Sequence, residues 1–354
     1  MTLRAGLIGF GLAGRYFHAP LLRAAGIPVA AVVTSRADAV REYLGDAAVV
    51  SSVDELIARS DIDLIAIASP SSLHALQAAA ALRGGKHVVV DKPLSATAAE
   101  ASDLAQLAAQ CGRKLAVFQN RRWDSDFLTL RKLIDDGRLG DINSYHARWD
   151  RFRPEVVDRW RERDEPASGA LYDLGSHLID QVLVLFGEPE WLYANVFKQR
   201  PGSAIVDGFE VLMGKGNLRI TLGVSTMAAD GGYRYRVNGS RASFLKAGLD
   251  PQEAQLRAGM EPGERFFGCE PTEQWGTLVQ GHNDGTGQRE VVTAEQGRWV
   301  SFYEDVRRAI EDDRPVAVPA EQAYATIRII EAALTSSAMG CRIDLQPAAP
   351  LISR

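Results

Sequence analysis

The chain is poor in cysteine. Cys111, Cys269 and Cys341 are widely separated and odd in number, which argues against a disulfide framework or a zinc site and leaves three ordinary core or surface thiols. It also lacks any lysine/arginine block. With a net charge of −5 and a sequence pI near 5.8, nucleic acid and anionic membrane are poor partners. No apolar run approaches the ~18 residues of a membrane span. The first residues pass directly into a buried-strand pattern, leaving no room for a signal peptide, so a cytoplasmic location is expected. No internal repeat or low-complexity tract is evident, and 354 residues make two domains the default.

What the chain does have is a strict rhythm over its first third. Short apolar runs at 3–8, 29–33, 62–68, 86–90 and 114–118 are separated by helical stretches, including 12–25, 72–84 and 97–111. Continuous apolar runs between amphipathic helices fit parallel strands covered on both faces, hence a doubly wound α/β sheet. Near residue 120 the rhythm changes. After one more helix at 124–137, alternating segments at 142–152, 190–199, 205–213, 217–226 and 233–246 predict a mainly antiparallel sheet. Helices at 171–186, 298–312 and 321–338 are expected on one of its faces, and 259–297 reads as irregular surface. The expected division is a dinucleotide-binding Rossmann domain over 1–121 and an α+β domain with an open-faced sheet over 122–354.

Gly9-Phe10-Gly11-Leu12-Ala13-Gly14 matches G-x-G-x-x-G between a predicted strand and a predicted helix. Gly9 permits the tight turn, Gly11 lets a pyrophosphate approach the backbone, and Gly14 allows the helix to pack closely on the strand. The helix N-terminus then faces the phosphates. The second strand runs into Thr34-Ser35-Arg36 with no acid at its end. Hydroxyls and a guanidinium suit the 2′-phosphate of NADP, so NADP is expected over NAD, with Ser35 and Arg36 as its site; Asp38 reads as part of the next helix.

Lys92 follows an apolar strand and falls at the carboxyl edge of the sheet, where open α/β folds hold their ligands. A lysine there can stabilise alkoxide character during hydride transfer. Pro93 fixes the chain beyond it and is compatible with a cis peptide. In 171–186, Asp173, His177 and Asp180 are spaced i, i+4, i+7 opposite an apolar face of leucine, isoleucine and valine. A histidine beside carboxylates is a proton acceptor of fixed tautomer. The same trio could ligate a divalent ion, but Lys92 already supplies an electrophile and no metal is expected.

GFGLAGRYFHAPLL, SPSSLHALQAAAAL, VVVDKPLS and SGALYDLGSHLIDQ resemble the glucose–fructose oxidoreductase / inositol dehydrogenase / MocA (Gfo/Idh/MocA) family of NAD(P)-dependent oxidoreductases, over essentially the whole chain. FQNRRWDSDFLTL and DRFRPEVVDRWRE are similar to its bacterial NADP-dependent scyllo-inositol dehydrogenase branch. The family's usual Glu-Lys-Pro is Asp91-Lys92-Pro93 here, and its Asp-x-x-x-His pair falls on Asp173 and His177. The resemblance implies that Ser69, Pro70, His74 and Asp91 lie along the cofactor, with Asn120 and Trp160 near the nicotinamide. It also implies a polyol, cyclitol or sugar held by Lys92, Arg122, Trp160, Asp173 and His177. It further implies a homodimer or homotetramer assembled through the C-terminal sheet. Several arginines of the Asn120-Arg121-Arg122 and Arg159-Trp160-Arg161 stretches are expected to serve only as ion-pair partners, and Trp123 as core. Two other readings of the same fold are a cofactor-sensing binding protein and an NAD-dependent glycoside hydrolase.

Overall fold

The structure is a computed structural model that describes residues 3–157, 162–281, 286–347 and 351. The first unit is a six-stranded sheet in the order β3-β2-β1-β4-β5-β6. Its strands are β1 (Ala5–Ile8), β2 (Val29–Val33), β3 (Ala48–Val50), β4 (Leu64–Ile67), β5 (His87–Asp91) and β6 (Leu115–Phe118). All pair in parallel. The order reverses beside β1, which opens the crevice at the carboxyl ends of the strands. Helices α1 (Ala19–Ala24), α2 (Ala37–Leu44), α3 (Val53–Ala58), α4 (His74–Arg83) and α5 (Ala98–Gln110) form the crossovers. A capping box closes the start of α5, with Thr97 accepting from the Glu100 N–H and Glu100 accepting from the Thr97 N–H.

After α6 (Ser125–Asp135), a nine-stranded sheet is built from β7 (Ile142–Arg148), β8 (Trp191–Phe197), β9 (Gly208–Lys215), β10 (Leu218–Ser225), β11 (Tyr233–Gly239), β12 (Ala242–Ala247), β13 (Gly276–Gly281), β14 (Gly287–Val292) and β15 (Ile343–Asp344). Its order is β14-β13-β12-β11-β7-β10-β9-β8-β15. Every pair is antiparallel except β7 with β10. Helices α7 (Ser176–Phe186), α8 (Gln252–Arg257), α9 (Val300–Glu311) and α10 (Ala320–Met339) complete the chain.

Three expectations need correction. The segment 233–246 is a hairpin of two strands, because Gly239–Arg241 turns the chain back on itself. The stretch 259–297 is not all irregular: β13 and β14 extend the sheet to its edge, and their largely polar, exposed faces hide the period-2 signal. Helix α9 does not pack on the second sheet. Its Phe302, Tyr303, Val306 and Ala309 belong to the core of the first unit. Helix α10 serves both cores, with Ala320, Ala323 and Ile327 in the first and Ile329, Ile330 and Ala333 in the second. Edge strand β6 also gains a partner from late in the chain, since the Val117 N–H donates to Val318 O at 3.0 Å.

No helix among the described residues is long and apolar enough to cross a membrane.

Candidate active site

Two adjoining cavities run along the carboxyl edge of the first sheet, with volumes of about 710 and 520 Å³. The larger begins at the glycine loop and passes Val33, Thr34, Ser35 and Arg36 on one side and Ser69, Pro70 and His74 on the other. It ends at Asp91 and Lys92, where the smaller cavity begins, lined further by Asn120, Arg121, Trp149, Asp173 and His177.

The glycine loop has the shape its spacing predicts. Gly9 has φ +93°, and a Cβ there would lie 2.7 Å from Ala68 O. A Cβ on Gly14 would collide with the carbonyl of Gly9, whereas one on Gly11 would meet nothing within 4 Å. Gly11 therefore offers bare backbone to the groove. Beyond it, Gly14–His18 forms a wide π-helical turn leading into α1, so free N–H groups face an incoming anion. At the other end of the groove Ser35 and Arg36 are exposed, and the Arg36 N–H donates to Thr34 Oγ1 at 3.1 Å. Asp38 lies on α2, fully exposed beside Arg41, and does not line the groove. Phe10, Leu12 and Ala13 complete the loop, with Leu12 and Ala13 touching both cavities.

His74 is buried as a brace. Its Nδ1 lies 2.7 Å from Pro93 O and its Nε2 3.0 Å from Ser69 O, tying the loop after β4 to the loop after β5. Ser69 Oγ donates to Gln77 Oε1 at 2.6 Å. The Lys92–Pro93 peptide is cis. Asp91 Oδ1 accepts the Lys92 N–H at 2.8 Å, and Asp91 Oδ2 lies 3.8 Å from Nε2 of the buried His18. Burial pushes the Asp91 carboxyl up, but His18 and Lys92 outweigh it and hold it below the usual carboxylate range.

Lys92 Nζ donates to Asp173 Oδ1 at 2.6 Å and to the Asp173 carbonyl at 2.5 Å. That leaves one of its three N–H bonds for a ligand. Asp173 sits in a second wide turn, Leu171–Gly175, which runs into α7. Such π-helical turns shift side chains off the 3.6-residue register. Accordingly Asp173 is half exposed to the cleft, whereas His177 and Asp180 are buried.

The partner of His177 is a residue that the sequence did not single out. Its Nδ1 donates to Gln119 Oε1 at 2.9 Å, which fixes the tautomer and leaves Nε2 as the open acceptor. Burial first, then Lys92 and Arg121, hold the imidazole well below its ordinary pKa, against the pull of Asp173. Gln119 directly follows β6, one residue before Asn120, at the sheet edge where ligands gather. That position was a usable signal, but the contact spans 58 residues.

The other sequence-selected residues separate. Asp180 turns away from the cleft to Arg122, whose Nε and Nη2 donate to it at 2.7 and 2.6 Å, and Arg122 also donates to Gln322 at 2.7 Å. Neither Arg122 nor Asp180 lines the cavities. Arg121 is held between the indoles of Trp149 and Trp299, 4.7 Å from each ring centre, and donates to Glu253 at 2.5 Å. Asn120 is buried and lines the smaller cavity. Trp123 packs on the first core against Phe302. Trp160, with Arg159 and Arg161, lies outside the described residues.

A dinucleotide-shaped cradle that opens into a pocket holding a lysine and a neutral histidine defines an oxidoreductase, a dehydrogenase acting on CH–OH groups. Residues 3–119 match the oxidoreductase family's NAD-binding Rossmann fold and residues 131–345 its C-terminal alpha/beta domain. The chain belongs to the Gfo/Idh/MocA oxidoreductase family. It is 40% identical over 339 residues to scyllo-inositol 2-dehydrogenase (NADP(+)) IolW of Bacillus subtilis, covering 95% of this chain and 94% of that protein. A solved oxidoreductase from Bacillus subtilis, yvaA, superposes with a TM-score of 0.95 at 39% identity, covering 98% of this chain and 99% of that one. A second, from Yersinia pestis, gives 0.93 at 36%, covering 98% of both chains.

Proposed function

We propose that the protein is an NADP-dependent dehydrogenase that interconverts a secondary hydroxyl and a ketone on a polyol, cyclitol or sugar. The observation that carries this reading is the meeting of Lys92, Asp173 and His177 at the end of the glycine-loop groove. The relative named as an NADP-dependent scyllo-inositol dehydrogenase, 40% identical, supports the cofactor and the substrate class together.

The groove fits a dinucleotide, because Gly11 presents open backbone and the groove extends from Arg36 to Lys92. Gly9–Gly14 would hold its pyrophosphate, Ser35 and Arg36 its 2′-phosphate, and Ser69, Pro70 and Asn120 its flanks. When bound, it supplies or accepts the hydride. Lys92, anchored by Asp173, donates its remaining N–H to the reacting oxygen and offsets the negative charge that builds there. His177 Nε2 accepts the hydroxyl proton in oxidation and returns it in reduction, while Gln119 keeps the ring oriented.

The test is a fluorescence-quenching titration with NADPH and NADH, repeated on Arg36→Ala, followed by turnover on inositols, keto-inositols and aldoses. Wild type is expected to bind NADPH at least tenfold more tightly than NADH. Arg36→Ala should lose most of that ratio by weakening NADPH alone. Equal binding of the two in wild type overturns the NADP assignment, and no binding of either overturns the dehydrogenase mechanism.

A further inference from the structure

Beyond β7 the chain stays extended beside β10. The N–H groups of Trp149, Arg151 and Arg153 donate in turn to the carbonyls of Gly223, Ser225 and Thr226, at 3.0, 2.8 and 2.8 Å. Alternate residues of an extended strand share a face, and all three side chains line both cavities. The motif W-x-R-x-R thus forms one wall of the seam where the dinucleotide groove meets the substrate cavity.

Apart from Arg36 at the far end of the groove, the other lysines and arginines on these walls lie beside carboxylates. Lys92 has Asp173, Arg121 has Glu253, and Arg200 has Glu162 and Asp207. Arg257 lies 3.8 Å from Glu253. By contrast, among the described residues neither guanidinium of Arg151 and Arg153 has a hydrogen-bond acceptor or a carboxylate partner. Arg151 is partly buried and stacks over Trp149 at 5.4 Å, which orients its plane. Burial first, with the neighbouring charges of Arg153 and Arg121, lowers its pKa against the opposing pull of Asp173 and Glu253. Arg153 is exposed at the cavity mouth beside the partly buried Arg151, and two like charges with no directly bonded carboxylate favour an anion between them, whose oxygens their planar forks match bidentately.

We propose that Arg151 and Arg153 form an oxyanion subsite at this seam, a clamp from the second unit that faces the glycine loop of the first. The anion is either the pyrophosphate of the dinucleotide or an acidic substituent on the polyol substrate. The proposal rests on the dinucleotide reading of the groove, and the two can fail separately.

The experiment compares wild type with Arg151→Gln, Arg153→Gln and the double variant, using thermal melts to verify folding and Arg151→Lys as the charge-preserving control. NADPH, 2′-phospho-ADP-ribose and adenosine 2′-phosphate are titrated by fluorescence or calorimetry. If the pyrophosphate is the ligand, the double variant weakens the first two at least tenfold and leaves the third within twofold. With NADPH saturating, KM is then measured for a neutral keto-inositol and for 5-keto-gluconate. If the substrate carries the anion, only the KM for 5-keto-gluconate rises at least tenfold. In either case Arg151→Lys should recover part of the loss. A folded double variant that leaves the NADPH Kd and the 5-keto-gluconate KM within twofold of wild type overturns the subsite. Should wild type bind no dinucleotide at all, inorganic pyrophosphate decides: binding that disappears in the double variant upholds the clamp, and no binding to wild type overturns it.

Discussion

His177 is tuned by exclusion from water more than by a carboxylate. Its Nδ1 meets a neutral amide, and burial with the nearby cations Lys92, Arg121 and Arg234 favours the uncharged ring. On the proposed mechanism the neutral ring is the active form for oxidation. Because the pKa is depressed, that form is complete at pH 6.5 and above, and the acid limb of kcat/KM for oxidation should lie well below 6.5. Removing Lys92 removes the largest charge holding the ring down, so the residual activity of Lys92→Ala should show an acid limb moved upward. Both Lys92→Ala and His177→Ala should lower turnover by roughly 10² to 10⁴ while NADPH affinity stays within a few-fold. Stopped-flow and steady-state pH profiles would check this. Near-full turnover in both variants removes these roles, and an unmoved limb in Lys92→Ala removes the electrostatic account of His177.

At the scale of elements, the short turn after β6 and helix α7 are joined by a bidentate ion pair. Arg122 and Asp180 are both nearly excluded from solvent, and Arg122 reaches on to Ala317 and Gln322 near the start of α10. Removing one member of a buried pair strands the other charge and costs about 3–5 kcal/mol. Asp180→Ala should lose that much in urea unfolding, and Arg122→Met with Asp180→Leu should regain most of it. A loss under ~1 kcal/mol would show that the pair does not clamp the two elements.

The sequence made the parallel sheet, the glycine loop and the Lys92 position readable because each depends on local pattern. Continuous apolar runs and G-x-G-x-x-G need no tertiary knowledge. The pairing around α7 was not readable. Helical spacing placed Asp173, His177 and Asp180 on one side, but the wide turn at Leu171–Gly175 breaks that spacing, and Gln119 and Arg122 arrive from another element to claim two of the three. Likewise, the exposed charges of β14 masked its alternation.

At the scale of the molecule, the second sheet has one face packed by α7 and α10 and one face left open. A single row across the open face runs Tyr193, Leu212, Thr221, His146, Arg236, Leu245, Thr277 and Val291 in hydrogen-bonded register. None of these side chains is buried, and Tyr193 and Leu212 are 44% and 40% exposed. Large apolar residues on an uncovered sheet suit assembly of like chains. Size-exclusion with light scattering should give a dimer or tetramer mass, and Leu212→Glu should lower it without moving the melting temperature by more than a few degrees. A monomeric wild type would remove the assembly role of this face.

The partner that residue 318 offers to β6 also bears on the order in which the protein is made. Synthesis delivers the whole dinucleotide-binding sheet by residue 118, but the edge of that sheet is closed at 318, and its core is completed by Trp299, Phe302 and Tyr303. A growing chain therefore carries an unfinished first lobe, with an open strand edge and an uncovered apolar face, while about two hundred further residues are translated. The lobe that appears first in the sequence is among the last parts of the protein to be complete.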